Sequence, residues 1–186
     1  MTRTRRLVAL GGLLALAPAA FAAGAGAQAA PQSQTSFFRS MLLADHSTAP
    51  GVARLLRTQS GFVEPNVIFA DLTGDTKSDA VVRVGTPGAA GTVAVYVFST
   101  DGVKPDSKGN TRLRAVYRNQ TLYRASAQAR TGALVLRAPR YKAGEEFWNP
   151  ATLVEREYLW RASDHRLHLR SSREIAGPGA SPAAQP

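Results

Sequence analysis

Asn66-Val-Ile-Phe-Ala70, Asp71-Leu-Thr-Gly-Asp75-Thr-Lys-Ser-Asp79 and Ala80-Val-Val-Arg-Val84 follow one another without a break. Two β-branched, apolar runs enclose a polar turn that contains glycine, the pattern of two strands joined by a loop. The same punctuation continues downstream. Val93–Ser99, Leu113–Tyr117, Leu122–Gln128, Ala133–Arg137, Leu153–Arg161 and Arg166–Ser172 read as strands, with Ala162-Ser-Asp-His165 a hairpin loop between the last two. Short strands with tight connections predict an antiparallel β-meander of about seven or eight strands. Upstream the period changes. In Thr35–Ala44, Phe37, Phe38, Met41 and Leu42 share a helical face, and Pro50–Gln59 carries Val52, Leu55 and Leu56, with Thr48 as a cap and Pro50 in the first turn. The expected class is α+β, two short N-terminal helices with the meander, in one domain over 35–175.

Composition narrows the classes of function. The chain has 186 residues and no cysteine, which excludes a disulfide framework, a thiolate metal site and a cysteine nucleophile. Its length is enough for a core without such staples. Lys and Arg number 23 against 13 Asp and Glu, for a net charge of +10, and 19 of the 23 are arginine. That balance excludes an acidic disordered chain.

Met1-Thr-Arg-Thr-Arg-Arg6 precedes an apolar run from Leu7 to Phe21 and then an Ala/Gly-rich stretch. A basic start, a short apolar stretch and small residues at Ala-x-Ala spacing form a secretory signal peptide. The run is shorter than the ~20 residues of a spanning helix, and Gly11, Gly12 and Pro18 weaken it further as an anchor. The preferred cleavage motif is Ala27-Gln28-Ala29; Thr4-Arg5-Arg6-Leu7-Val8 leaves the Sec and twin-arginine routes both open. The expected organisation is a signal peptide over 1–29, a linker over 30–34 and a disordered tail over 176–186. The mature chain is expected to carry no transmembrane anchor, and the expected location is secreted or extracytoplasmic.

The acidic turn sets oxygen-bearing side chains at its positions 1, 3, 5 and 9. Asp71, Thr73, Asp75 and Asp79, with the Lys77 carbonyl, could supply about five or six oxygens to calcium. The competing reading is an Asx-rich turn whose carboxylates accept its own backbone N–H groups. Calcium is the one cofactor the chain suggests. The turn resembles the calcium loop of FG-GAP and VCBS repeats at Asp71, Gly74, Asp75 and Asp79, and departs from it at Thr73 and Thr76. More of the chain is similar to uncharacterised secreted proteins of actinobacteria akin to the LppP/LprE lipoproteins. The matching stretches are Ala53-Arg-Leu-Leu56, Val67–Asp75, Asp79-Ala-Val-Val-Arg83, Ala90-Gly91, Val95-Tyr-Val-Phe98 and Tyr123-Arg124. The resemblance covers about 36–173 and implies export and a shared fold, with no established reaction. Many members carry a Cys-Pro segment where this chain has Phe147-Trp-Asn-Pro-Ala151, so packing must hold that loop here.

From Ser107 to Gly144 there is no acidic residue, while nine basic ones occur with Tyr117, Tyr123 and Tyr141 among them. Arg112, Arg114, Arg118, Arg124 and Arg130 all fall on even positions, so a strand period of 2 puts them on one face. Such a face either holds anions or is a solvated surface whose stems cover apolar area. Export makes an anionic envelope polymer or lipid headgroups the expected partner and nucleic acid an unlikely one. The chemistry of catalysis is sparse. His165 and His168 point to opposite faces of a strand, Asp45-His46 with Ser47 or Ser60 lacks a triad pattern, and Glu145-Glu146 reads as exposed charge. Trp148 is either an exposed recognition aromatic or a lid on the core beside Trp160. The expectation is an exported, non-enzymatic envelope or extracellular protein, the alternative a secreted hydrolase with an unrecognised site.

Overall fold

The computed structural model describes residues 30–180, with side chains from Gln34; the signal segment and the cleavage residues Ala27 and Ala29 lie outside the described residues. The elements in chain order are α1 (Ala30–Ala44), α2 (Pro50–Arg57), β1 (Phe62–Val63), β2 (Ile68–Ala70), β3 (Asp79–Gly85), β4 (Thr92–Ser99), β5 (Arg114–Asn119), β6 (Ser126–Arg130), β7 (Ala133–Arg140), β8 (Thr152–Arg161) and β9 (Arg166–Ala176). The class is α+β, and mostly β. The single meander of the sequence reading is replaced by two antiparallel sheets. β1 and β2 both pair with β3, which continues through β4 to β5, and β6-β7-β8-β9 form the second sheet.

Burial of β3 and β4 explains the division. Both strands are apolar on both faces, so each face needs its own covering layer. Ala80, Val82 and Val84 pair with Phe98, Tyr96 and Ala94, and this face packs under Phe38 and Leu42 of α1 and Val52 and Leu56 of α2. The odd residues Val81, Val95 and Val97 pack instead against Leu134, Leu136 and Tyr158 of the second sheet. The order of layers is therefore helices, first sheet, second sheet. A fully buried aliphatic side chain contributes ~1.5–3 kcal/mol, so neither face can be left to water.

Several boundaries differ from the expected ones. α1 begins at Ala30, so the linker expected over 30–34 is helical. Thr48 makes no capping hydrogen bond; the N-cap is Ala49. The donor at that position is held from far along the chain, because Ala49 N–H donates to Gln120 Oε1 at 2.5 Å. The same Gln120 oxygen accepts the Tyr96 hydroxyl at 2.7 Å, and its amide donates to the Ser47 carbonyl at 3.0 Å. Burial pushes the Tyr96 phenol up to about 12. At the other end, β9 runs through Ala176, and Gly177 and Gly179 N–H groups donate to the Ala151 and Pro150 carbonyls at 2.8 and 3.0 Å. Residues 176–180 are thus folded onto the β7–β8 loop rather than forming part of a disordered tail.

Candidate functional site

In the acidic turn every carboxylate is engaged by the turn itself. Asp71 accepts Gly74 N–H at 2.6 Å and Thr76 N–H at 3.1 Å. Asp75 accepts Lys77 N–H at 3.0 Å and the Thr73 hydroxyl at 3.2 Å, with the Lys77 ammonium 3.9 Å away. Asp79, 1% exposed, receives Leu72 and Thr73 N–H on one oxygen at 2.8 and 3.0 Å. Burial raises the Asp79 carboxyl above its ordinary range, against the hydrogen bonds from Ser99, Leu72 and Thr73. Thr76 takes a left-handed φ of 65° where glycine is the usual occupant, and Gly74 sits at 78°. These are the contacts of a self-capped Asx turn. Among the described residues no group of three or more His, Asp or Glu side chains is arranged to hold a metal ion. Asp71, Thr73, Asp75, Lys77 and Asp79 share one loop, but it is closed by its own amides.

The five-arginine face does not form. Val97 pairs with Tyr117 and Phe98 with Ala115, which leaves Val116 as an extra residue in β5. One extra residue reverses the parity of everything before it. Arg118 lies opposite Tyr96 on the helix side and pairs with Asp45 at 3.4 Å. Arg114 lies on the other side, where its guanidinium donates to the Asp101 and His165 carbonyls at 3.3 and 3.2 Å. Arg112 precedes β5, Arg124 occupies the turn before β6, and Arg130 ends β6 in the other sheet. Two of the five hold the fold together, and no shared face gathers them.

The arginines that stand out are a different pair. Among the described residues, six arginine side chains are half-buried: Arg39, Arg83, Arg114, Arg124, Arg137 and Arg156. Arg39 donates to the Leu56 carbonyl, Arg83 pairs with Glu64, Arg114 meets the two carbonyls above, and Arg137 pairs with Glu155. Among the described residues, Arg124 and Arg156 have neither a carboxylate nor a carbonyl acceptor. On β8, alternation separates Arg156 from its sequence neighbours. Glu155 and Glu157 turn outward, where Glu155 bridges Arg137 and Arg173 across three strands at 2.7 and 2.6 Å. Arg156 turns to the inner face, where its charge lies near the Tyr117 phenol of β5, and lines a cleft of about 500 Å3 with Ala138, Arg140, Val154 and Glu174. Arg140 is paired with Glu174 there. Glu155-Arg156-Glu157 looks neutralised in one dimension; reading it with a period of 2 would have exposed the lone cation.

The histidines are paired with acids rather than with each other. His165 Nδ1 lies 2.8 Å from Asp101 and His168 Nε2 lies 2.7 Å from Asp164. Asp164 also binds Arg161 in a fork at 3.1 and 2.8 Å, which with His168 draws its carboxyl well below the carboxylate range. The His165 ring lies over Gly102, where a Cβ would come within 2.7 Å of it. The pair Asp101–His165, with Arg114 across both backbones, joins the β4–β5 loop to the β8–β9 hairpin and so ties the two sheets. Trp160 packs near His165, at 6.0 Å between rings, whereas Trp148 stands in the β7–β8 loop and is 58% exposed. The lid reading of Trp148 is therefore corrected. The chain matches no family model, no curated protein and no solved structure.

Proposed function

We propose that this is an exported, non-enzymatic protein of the cell envelope or exterior that binds an anionic envelope component, a polymer or a lipid headgroup, in the arginine cleft of the second sheet. The observation that carries this reading is Arg156, a half-buried guanidinium with no acceptor of its own in a cleft of about 500 Å3. A guanidinium partly removed from water gains most from a planar anion that accepts two parallel N–H bonds. Arg140 is already paired with Glu174 and Arg173 with Glu155, so among the arginines lining the cleft Arg156 is the one without a carboxylate partner. The basic, apolar and Ala-x-Ala segments at the start of the chain support export, as does the resemblance to secreted actinobacterial proteins.

Retention on purified wall polymer and on anionic liposomes at low and moderate salt tests the binding. The wild type should be retained and should elute with salt, because exposed charges are screened over about 8 Å at physiological ionic strength. Arg156→Gln should be retained more weakly; equal retention of both proteins would refute the cleft. Fractionation that finds an unprocessed cytoplasmic chain would refute export. A secreted hydrolase is the second reading, motivated by Asp101 holding His165 Nδ1 and leaving Nε2 to act on a substrate. It requires turnover that His165→Gln abolishes without unfolding the protein.

A further inference from the structure

Arg124, the other half-buried arginine without an acceptor, lies on the outer face of the second sheet. There it lines a separate recess of about 200 Å3 with Ser126, Arg137, Leu153, Trp148 and Pro150. The Arg124 guanidinium carbon is 5.6 Å from the centre of the Phe147 ring, and Phe147 and Trp148 meet edge to face at 4.7 Å. Tyr123 and Tyr141 form a second such pair at 6.0 Å. Phe147, Trp148 and Tyr123 are three of the seven exposed large apolar side chains among the described residues. Single exposed aromatics are ordinary, but a contiguous aromatic patch marks a binding surface.

The aromatic loop is built, and its exposure does not come from looseness. Glu145 accepts Lys142 N–H at 2.8 Å and Ala151 N–H at 2.5 Å, which closes the loop at both ends. The Tyr141 hydroxyl donates to the Phe147 carbonyl at 2.6 Å, and Asn149 N–H donates to the Glu146 carbonyl at 3.2 Å. Gly177 and Gly179 N–H groups hold its C-terminal side. Trp148 is therefore presented in a fixed place, and binding to it costs little ordering entropy. Arg124 is fixed as well. Its N–H donates to the Ala90 carbonyl at 2.8 Å, and its guanidinium is seated over the Phe147 ring.

We propose that this recess is a subsite for one carboxylated sugar ring of an acidic polysaccharide. A guanidinium lying over an aromatic face keeps the N–H groups at its rim free, and these match a carboxylate. Arg137 shares the wall, but its Nε and an Nη already engage Glu155, so Arg124 is the open anion donor of the recess. The volume lies below the ~300–1,000 Å3 of pockets for larger ligands and suits a single ring. The apolar walls of Trp148, Pro150 and Leu153 match the C–H face of a pyranose, and the Ser126 hydroxyl can bond its hydroxyls. The assignment deepens the anionic-polymer reading but uses the opposite face of the sheet from Arg156, so the two sites fail separately.

The test is titration of the full chain carrying Trp160→Phe with oligogalacturonate, with an uncharged oligosaccharide of equal length as the control, read by Trp148 fluorescence. Saturable change with the acidic oligomer alone is expected. Trp148→Ala, followed by calorimetry, and Arg124→Gln should each weaken binding by about tenfold or more, as for other aromatic and arginine anchors. Arg57→Gln, an exposed charge in the last turn of α2, should leave it unchanged. Equal binding of acidic and neutral oligomers, or unaltered affinity in Arg124→Gln, would overturn the subsite. A Trp148 change that persists in Arg124→Gln and disappears in Arg156→Gln would overturn it too, while leaving the cleft standing.

Discussion

Asp79→Ala should destabilise the protein by about 2–4 kcal/mol, although the residue lies in a turn. One Asp79 oxygen takes the N–H groups of Leu72 and Thr73, and Leu72 is fully buried. Alanine leaves both donors without a partner, at ~1–3 kcal/mol each. Removing the charge returns part of that, because burial already disfavours the ionised carboxyl. In a domain of this size a loss of that order lowers Tm by roughly 5–15 °C. Asp79→Asn separates the two effects. Both amides converge on the same oxygen, so the Asn carbonyl can accept both, and its stability should stay within about 1 kcal/mol of wild type. The pH dependence has a definite sign. A carboxyl whose folded value is raised above 3.8 favours folding when protonated. Its contribution is therefore lost as pH rises from 3.8 through the raised folded value, a slope that Asp79→Asn should lack. Urea unfolding of the three proteins across pH 3.5–7 measures all of this. If Asp79→Ala falls within about 0.5 kcal/mol of wild type, or if Asn is as damaging as Ala, the capping argument is wrong. The same melts with millimolar calcium and with chelator should coincide; a calcium-dependent rise in wild-type Tm that Asp79→Asn erases would instead make the turn a cation site.

Gln120→Ala should cost about 1–3 kcal/mol in denaturant unfolding, because it frees Ala49 N–H and the buried Tyr96 hydroxyl together. Spectrophotometric titration should at the same time show the Tyr96 phenol lowered from about 12 as water enters beside it. Arg114→Ala should lose about 1.5–3 kcal/mol with its two carbonyl acceptors, whereas the exposed Arg112→Ala should change stability by less than about 0.5 kcal/mol; equal effects would contradict the reversed parity at Val116. Arg137 and Arg173 hold Glu155 below its ordinary 4.5, so its contribution is present above 4.5 and lost as pH falls through the lower folded value. Acid unfolding followed by circular dichroism should be shallower in Glu155→Gln.

Local chemistry alone located β2 to β5 and the turn between β2 and β3, but not the two-residue β1, which has too few residues to show a period. Val81, Val82, Val95 and Val97 have no alternative to burial, and Gly74 with three aspartates permits little but a tight turn. The Ala162–His165 hairpin was legible for the same reason, since turn residues interrupt two β-branched or apolar runs. The five-arginine face was not legible, because a period of 2 predicts sides only while each residue has one partner. The unpaired Val116 ends that condition, and it sends Arg114 toward His165 and Arg118 toward Asp45. The division into two sheets, and the Gln120 bond to Ala49 across 71 positions, likewise depend on which surfaces meet. Arg156 is an intermediate case. Its direction was readable in Glu155-Arg156-Glu157 with a period of 2, but its lack of a carboxylate depends on which side chains pairing places around it, with Glu155 taken by Arg137 and Arg173 and Glu174 by Arg140. Pattern along a chain records which side chains need cover, and only packing across the chain decides which of them go without a partner.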